Sequence, residues 1–431
     1  MKNADLMARD LAHIWHPCTQ MKDHENLPLV PVRSARGVWL EDFDGNRYID
    51  GISSWWVNLF GHANPYITKQ LSEQAATLEH VLLAGFTHEP AVRLAERLCD
   101  VTPGSLNRVF FADNGSSAVE VALKMSYHAH LNQGENRPLF LSLTNSYHGE
   151  TIGALSVGDV GLYKETYKPI LIRSIQTPVP EDRSTEAAER AAVALETILK
   201  VQSREISAMI VEPLVQCAGS MHMYHPRYLT LAKRLCETYG VHFIADEIAV
   251  GFGRTGTMFA CEQADIVPDF ICLSKGLTGG YMPLAAVVTT DEIYSRFYCD
   301  YLEYKAFLHS HSYTGNPLGC SCANAVLDIF ESENVIEKNR EKIEWMKALL
   351  APFESLPNVK EVRQQGMIAA VELQGYAPET RVNLKIFEYC LKRGVFIRPL
   401  GPVLYFMPPY VITKDEMTKM VETAYDAVKS L

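Results

Sequence analysis

Three side-chain types in this chain are spaced for chemistry at the ends of buried strands. The apolar run His242–Ala245 ends on two acids, Asp246 and Glu247. The run Phe270–Leu273 ends, past Ser274, on Lys275 and Gly276. Short continuous apolar runs read as parallel strands buried on both faces. Polar residues then emerge at their C-terminal ends, where open α/β sheets bind ligands. A lysine buried there loses its charge readily, and its neutral amine can form an imine with an aldehyde. An acid on the adjacent strand can hold a basic ring nitrogen protonated. Pyridoxal phosphate (PLP) carries both an aldehyde and such a ring.

A rival reading of Asp246-Glu247 is the acidic end of a nucleotide-hydrolysing strand. That chemistry requires a GxxxxGK[ST] loop, and the sequence contains no Gly-Lys dipeptide. A third element favours the PLP reading. Asn114-Gly115-Ser116 directly follows the strand-like RVFFAD and opens the helical SAVEVALKM. N–H groups at a helix start bind phosphate, and glycine permits close approach. A fourth, Asn145-Ser146-Tyr147-His148-Gly149, follows Leu139–Leu143, and Tyr147 is placed to stack on a cofactor ring.

These residues need an α/β scaffold to position them. From about residue 65, strand-like Arg108–Phe111, Leu139–Leu143, Ala208–Val211, His242–Ala245, Phe270–Leu273 and Ala285–Val288 alternate with helical Ser117–Leu131, Ala187–Lys200 and Arg227–Tyr239. Alternation of this kind predicts a mostly parallel sheet with helices on both faces. After Pro317 a helical stretch is expected to about Glu354. Strands at Val359–Arg363, Ala369–Leu373 and Val395–Arg398 follow, with helices near Val382–Arg393 and from Lys414. An N-terminal hairpin, Val38–Leu40 with Arg47–Ile49 around Asp42–Gly45, carries a turn signal. The expected division is 1–60 as an N-terminal segment joining the small domain, 61–325 as the large domain, and 326–431 as a small α+β domain.

Composition narrows the partners. A net charge of −11 argues against nucleic acid. The ten cysteines lack metal spacing: Cys320 and Cys322 form a CxC pair with no second pair, which reads as buried thiols in a reducing cytosol and no metal site. The opening MKNADLMARDLAHIW has no signal-type apolar core, and no apolar run approaches the ~20 residues of a membrane span. The expected location is cytoplasmic.

Taken together, the residues resemble the class III aminotransferases of the fold-type I PLP enzymes along nearly the whole chain. DEIAVGFGRTG, the SKG lysine and HSHSYTGNP at His309–Pro317 carry that resemblance. IWHP at Ile14–Pro17, GISSWW at Gly51–Trp56, NSYHGE at Asn145–Glu150, MYHP at Met223–Pro226, and IRPLG with YFMPPY at Ile397–Tyr410 are similar to one subgroup. That subgroup moves an amino group from S-adenosylmethionine to 8-amino-7-oxononanoate in biotin synthesis.

The resemblance implies a large domain with a mostly parallel seven-stranded sheet, and a ping-pong cycle. Lys275 would hold the cofactor and shuttle a proton, Asp246 would bind the ring nitrogen, and Tyr147 would stack on the ring. Gly115 and Ser116 would bind the phosphate, with Ser312 reaching the phosphate of a neighbouring subunit in a homodimer. Trp55, Tyr147, Arg398, Tyr405, Gly315, Glu150 and Arg254 match substrate-site positions. Many class III relatives have an arginine at the place of Tyr405, where it grips glutamate, so glutamate is not the expected donor. Cys18 stands where tyrosine is usual after IWHP, and Glu150 where aspartate is common. Lysine as the donor, an ω-amino-acid or diamine aminotransferase, and an aminomutase are the other readings this scaffold allows.

Overall fold

The computed structural model describes residues 2–27 and 29–431. The chain divides into two compact units. The larger comprises Tyr66–Ile343 with Arg363–Ile368; the smaller comprises the described residues up to Pro65, Glu344–Val362 and Ala369–Leu431. The cut at 343/344 falls inside the helix Val335–Leu350, later than the 325/326 division read from sequence.

The larger unit is built on a seven-stranded sheet. Across it lie Leu106–Ala112, Ala285–Thr290, Phe270–Leu273, His242–Asp246, Ile206–Val211, Leu139–Leu143 and Ser174–Thr177. Only Ala285–Thr290 runs against its neighbours; the others share one direction. The six expected strands are present, each within two residues of its expected start.

Period-two alternation assigns the two faces. Ile210, Ile244, Cys272 and Val287 pack with Ala118, Ala122, Met125 and Ala129, the buried stripe of helix Gly115–Asn132. Met209, one residue out of phase with Ile210, meets Cys236 of helix Arg227–Tyr239. Helices therefore cover both faces.

The seventh strand, Ser174–Thr177, has no counterpart among the sequence expectations. It is an edge strand of sequence SIQT, half-buried and mostly polar, so it lacks the apolar run that reveals central strands. The helical stretch after Pro317 is two helices, Pro317–Glu333 and Val335–Leu350. Asn334 between them sits at φ +50°, the left-handed conformation that ends a helix and that asparagine tolerates.

In the smaller unit, Val32–Arg36, Trp39–Asp42, Arg47–Asp50 and Val395–Phe396 form a four-stranded sheet in that order. The hairpin is antiparallel, with Leu40 opposite Tyr48. Asp50 pairs in parallel register with Phe396. The strand expected over Val395–Arg398 stops at Phe396, so Arg398 lies beyond the sheet. Strand Val403–Phe406 pairs with Ile368–Leu373, Tyr405 opposite Ala370, and helix Lys414–Lys429 closes the chain behind a Thr413–Glu416 capping box. No helix among the described residues is long and apolar enough to cross a membrane.

Candidate active site

Sheet order brings the chemistry of the larger unit to one edge. Phe270–Leu273, His242–Asp246, Ile206–Val211 and Leu139–Leu143 are consecutive parallel neighbours. Their C-terminal ends deliver Lys275, Asp246, Glu212 and the loop Asn145–Gly149 side by side. Asp246 is level with Cys272, three residues before Lys275.

Lys275 opens a short 3-10 turn with φ +44°. A lysine held in the left-handed region costs about 1–2 kcal/mol, and such strain concentrates where function over-determines the backbone. Burial pulls its ammonium below the ordinary value, while Cys217, Asp246 and Glu212 act in the opposite direction. The amine is thereby biased toward its neutral, nucleophilic form.

Asp246 is 5% exposed. Its Oδ2 lies 2.8 Å from His148 Nδ1, and its Oδ1 accepts the Ile248 N–H at 3.1 Å. A carboxylate has no proton to give, so Nδ1 of His148 carries the hydrogen. Glu247, its neighbour in sequence, does different work. It is fully buried and accepts the N–H groups of Ala260 and Cys261 at 3.0 and 2.8 Å. Burial pushes it up to about 7 against those two bonds. The acidic pair thus splits into one group at the sheet edge and one that ties down the following loop.

Glu212 is a third buried acid. Its carboxylate accepts the backbone N–H groups of Tyr147 (2.9 Å) and Cys217 (3.1 Å). Burial first, and the charge of Asp246 second, push it up to about 8; the two N–H bonds and Lys275 oppose. It anchors the loop that carries Tyr147. The Tyr147 ring packs edge-on against Tyr163, and its hydroxyl donates to Glu150 at 3.0 Å.

The phosphate-type turn is formed by helix Gly115–Asn132. Asn114 caps it by accepting the Ser117 N–H at 3.0 Å, which leaves the first-turn N–H groups of Gly115 and Ser116 directed out of the helix end. A Cβ on Gly115 would lie 3.1 Å from Ile248. At Gly149, φ +124°, a Cβ would lie 2.1 Å from the Ser116 hydroxyl. Gly149 lets its loop approach the helix start this closely, and Gly115 leaves room there for the Ile248 side chain. Arg254 is 1% exposed, Gly315 is buried with its carbonyl held by His88 at 2.9 Å, and Ser312 is exposed.

The smaller unit gathers Trp55, Arg398 and Tyr405. The Arg398 guanidinium carbon lies 5.0 Å from the Trp55 ring centre, and its Nη2 donates to the Cys18 carbonyl at 2.9 Å. No carboxylate lies within ion-pair reach of Arg398 among the described residues. Tyr405 is 1% exposed, and its hydroxyl accepts from Trp56 Nε1 at 3.2 Å.

Ser53, Ser54, Trp55 and Trp56 all have positive φ, 52°, 46°, 72° and 74°. This left-handed turn sends adjacent tryptophans apart: Trp56 is 4% exposed and Trp55 39%. His148, Glu212 and Asp50, which the sequence reading did not single out, hold these arrangements. Glu212 carried the same signal as Asp246, a polar residue ending a buried apolar strand. His148 lay inside the motif read for Tyr147.

An open, mostly parallel sheet with a lysine and an acid at adjacent strand ends, facing a helix start, defines a PLP-dependent transferase of fold type I. The chain belongs to the class III aminotransferases: residues 19–428 match the family described as Aminotransferase class-III. It is 54% identical over 423 residues to the adenosylmethionine-8-amino-7-oxononanoate aminotransferase of Helicobacter pylori, covering 97% of this chain and 96% of that one. The crystal structure of adenosylmethionine-8-amino-7-oxononanoate aminotransferase from Methanocaldococcus jannaschii superposes with a TM-score of 0.96 at 36% identity, covering 100% and 99%. A thermostable (S)-enantioselective omega-transaminase from Thermomicrobium roseum superposes at 0.94 with 30% identity, covering 100% and 99%.

The cofactor of this family is PLP. The residues present fit it: a strained, largely buried lysine, a buried acid, a helix start kept open by glycine, and His148 Nε2, buried without a hydrogen-bond partner among the described residues.

Proposed function

We propose that this protein transfers an amino group from S-adenosylmethionine to 8-amino-7-oxononanoate, giving 7,8-diaminononanoate for biotin synthesis. The observation that carries the acceptor assignment is Arg398, a cation held by an aromatic face and a neutral carbonyl with no acid beside it. Such a group suits a bidentate carboxylate at the end of a long aliphatic chain. The relatives named above support the same choice.

PLP, when bound, supplies an aldehyde for the amino group and a protonated ring that spreads the charge left when a carbon loses its proton. The protein's side chains do the rest. Asp246 would keep the ring nitrogen protonated, Tyr147 would cover the ring, and the N–H groups of Gly115 and Ser116 would hold the phosphate. Neutral Lys275 Nζ would accept the proton from the donor Cα and pass it to the cofactor carbon, and in the second half of the cycle would run the same transfer in reverse to the acceptor carbon. Trp55 and Tyr405 would flank the aliphatic chain of the acceptor; Gly315 and Arg254 match further substrate-site positions. The Tyr147–Glu150 pair offers an aromatic face and an acid to the sulfonium of the donor.

A homodimer belongs to the same proposal, with Ser312 reaching the neighbouring subunit's phosphate. Tyr301, Leu302, Tyr304 and Leu308, shortly before Ser312, are at least 74% exposed, and an apolar run of that kind favours a partner surface. A cytoplasmic location is supported by ten cysteines that are all free thiols.

The test supplies 8-amino-7-oxononanoate with S-adenosylmethionine, lysine or glutamate in turn and measures 7,8-diaminononanoate. Product is expected with S-adenosylmethionine. Product with lysine alone reassigns the donor. No product from any of the three removes the substrate assignment.

A further inference from the structure

Asp50 has no place in the chemistry above, yet it is fully buried and the donors around it converge on one turn. Its Oδ1 accepts the N–H groups of Ile52 at 3.3 Å and Ser54 at 2.9 Å. Its Oδ2 accepts the Ser54 hydroxyl at 2.7 Å and faces His62 Nε2 at 2.9 Å. Four contacts on one carboxylate satisfy it without solvent. His62 is fixed in turn, exchanging backbone hydrogen bonds with Gly37 in both directions.

The turn so held is Ser53–Trp56, four residues in the left-handed region that none of them favours. A buried anion that bonds the N–H and hydroxyl of Ser54 inside the turn, and the N–H of Ile52 just before it, opposes relaxation of this backbone. The far side is pinned by the Ser53 hydroxyl on the Met407 carbonyl at 2.7 Å and by Trp56 on Tyr405. Trp55, the residue left pointing outward, meets Arg398. Arg398 reaches that position from the same anchor. Asp50 pairs with Phe396, the Gly51 N–H bonds the Phe396 carbonyl at 2.9 Å, and Arg398 follows two residues later.

We propose that Asp50 is a positioning residue that sets the Trp55–Arg398 pair, and through it the affinity for the acceptor's carboxylate. This rests on the reading of Trp55 and Arg398 as the acceptor-carboxylate site. Asp50 is fully buried, with its carboxylate engaged by Ile52, Ser54 and His62. It acts by holding the turn that aims Trp55 and by sharing a strand register with the segment that delivers Arg398.

The test compares Asp50→Asn, Arg398→Ala and the double variant as holoenzymes, with the two half-reactions followed separately by cofactor absorbance. Nonanoate binding, measured by calorimetry, gives a readout independent of turnover. Losing a hydrogen-bonded charge is expected to raise the acceptor KM and the nonanoate Kd of Asp50→Asn about tenfold. The donor half-reaction is expected to stay within about twofold. The double variant is expected to bind no worse than Arg398→Ala, because both changes act on one pair.

An Asp50→Asn protein that loses thermal stability while its acceptor KM and nonanoate Kd stay put overturns the positioning role. Arg398→Ala with an unchanged acceptor KM overturns the underlying site reading instead. Should Asp50→Asn not fold, Ser54→Ala removes one of the four contacts and is expected to move the same two constants by about threefold; no movement there also overturns the proposal.

Discussion

Asp246 Oδ2 and His148 Nδ1 lie 2.8 Å apart with both side chains buried. The strand ending in Asp246 and the loop carrying His148 are separated by the strand Ile206–Val211, so the contact fixes the loop to the sheet edge. It also directs the acid, because a carboxylate held on one oxygen by His148 and on the other by the Ile248 N–H presents its remaining lone pairs in a set direction. A hydrogen bond to a charged group contributes about 1.5–3 kcal/mol. His148→Ala is therefore expected to lower kcat about 10- to 100-fold and to shift the absorbance of the bound cofactor. His148→Asn, which keeps a donor near the Nδ1 position, is expected to recover part of both. An unchanged spectrum and kcat in the alanine variant would show that the pair is structural only.

Lys275 gives a pH prediction. Burial lowers its pKa below 10.5, and the negative neighbours oppose that shift. On the proposed reading the neutral amine would be the form that takes up the cofactor aldehyde, so the rate of PLP attachment to stripped protein should rise with pH and level off through a midpoint below 10.5. Glu212→Gln removes one opposing charge. The ammonium then loses support, and the midpoint is expected to fall further. Stopped-flow absorbance with borohydride trapping measures both, and a midpoint that rises in the variant contradicts the assignment of causes.

Much of this edge was legible because the signal was local. Asp246 and Lys275 each end an apolar run, and strand alternation puts those ends together; Glu212 ends such a run too but is not among the residues singled out from sequence. The division of labour between Asp246 and Glu247 was not legible, since it depends on which side of the strand end each side chain leaves. Nor were the Asp50 contacts: Ser54 is four residues away, but His62 arrives through a bridge to Gly37, and the left-handed turn has no propensity signature in ISSWW. The edge strand Ser174–Thr177 was missed because its polar face reaches solvent and breaks the pattern that marks the central strands.

Gly149 tests how closely the loop carrying Tyr147 must sit on the helix start at Gly115 and Ser116. A Cβ there falls 2.1 Å from the Ser116 hydroxyl and 3.1 Å from its Cα, at φ +124°. Rotating the serine side chain cannot relieve a contact with its own backbone. Gly149→Ala is expected to lower thermal stability and to weaken PLP binding at least about tenfold, since displaced first-turn N–H groups no longer converge on one anion. Equilibrium dialysis of PLP measures the second effect. Ala at Gly134, where a Cβ meets nothing within 4 Å, is the control for a positive-φ glycine away from the site, and its PLP affinity should be unchanged.

The two buried acids make the stability of the stripped protein depend on pH in an unusual direction. Glu212 is pushed from 4.5 up to about 8 and Glu247 up to about 7. A raised pKa means the folded state binds a proton that the unfolded chain releases. The associated stability is full below about 4.5 and is lost as pH rises through the folded values. Melting temperature is therefore expected to fall between about pH 5 and 8, opposite to the trend that salt-bridged carboxylates produce. Glu247→Gln removes one contribution and should flatten the part of the fall below about 7. Glu212→Gln should flatten the part that extends to about 8. In the proposed site PLP would add its own charges near the strand end that carries Glu212, whereas Glu247 faces the loop at Ala260 and Cys261. Loading the protein with PLP should accordingly change the Glu212 component and leave the Glu247 component in place. Scanning calorimetry of stripped and loaded protein across pH 5–9 separates the two, and a melting temperature that climbs over this range would contradict the assignment of protons to these acids.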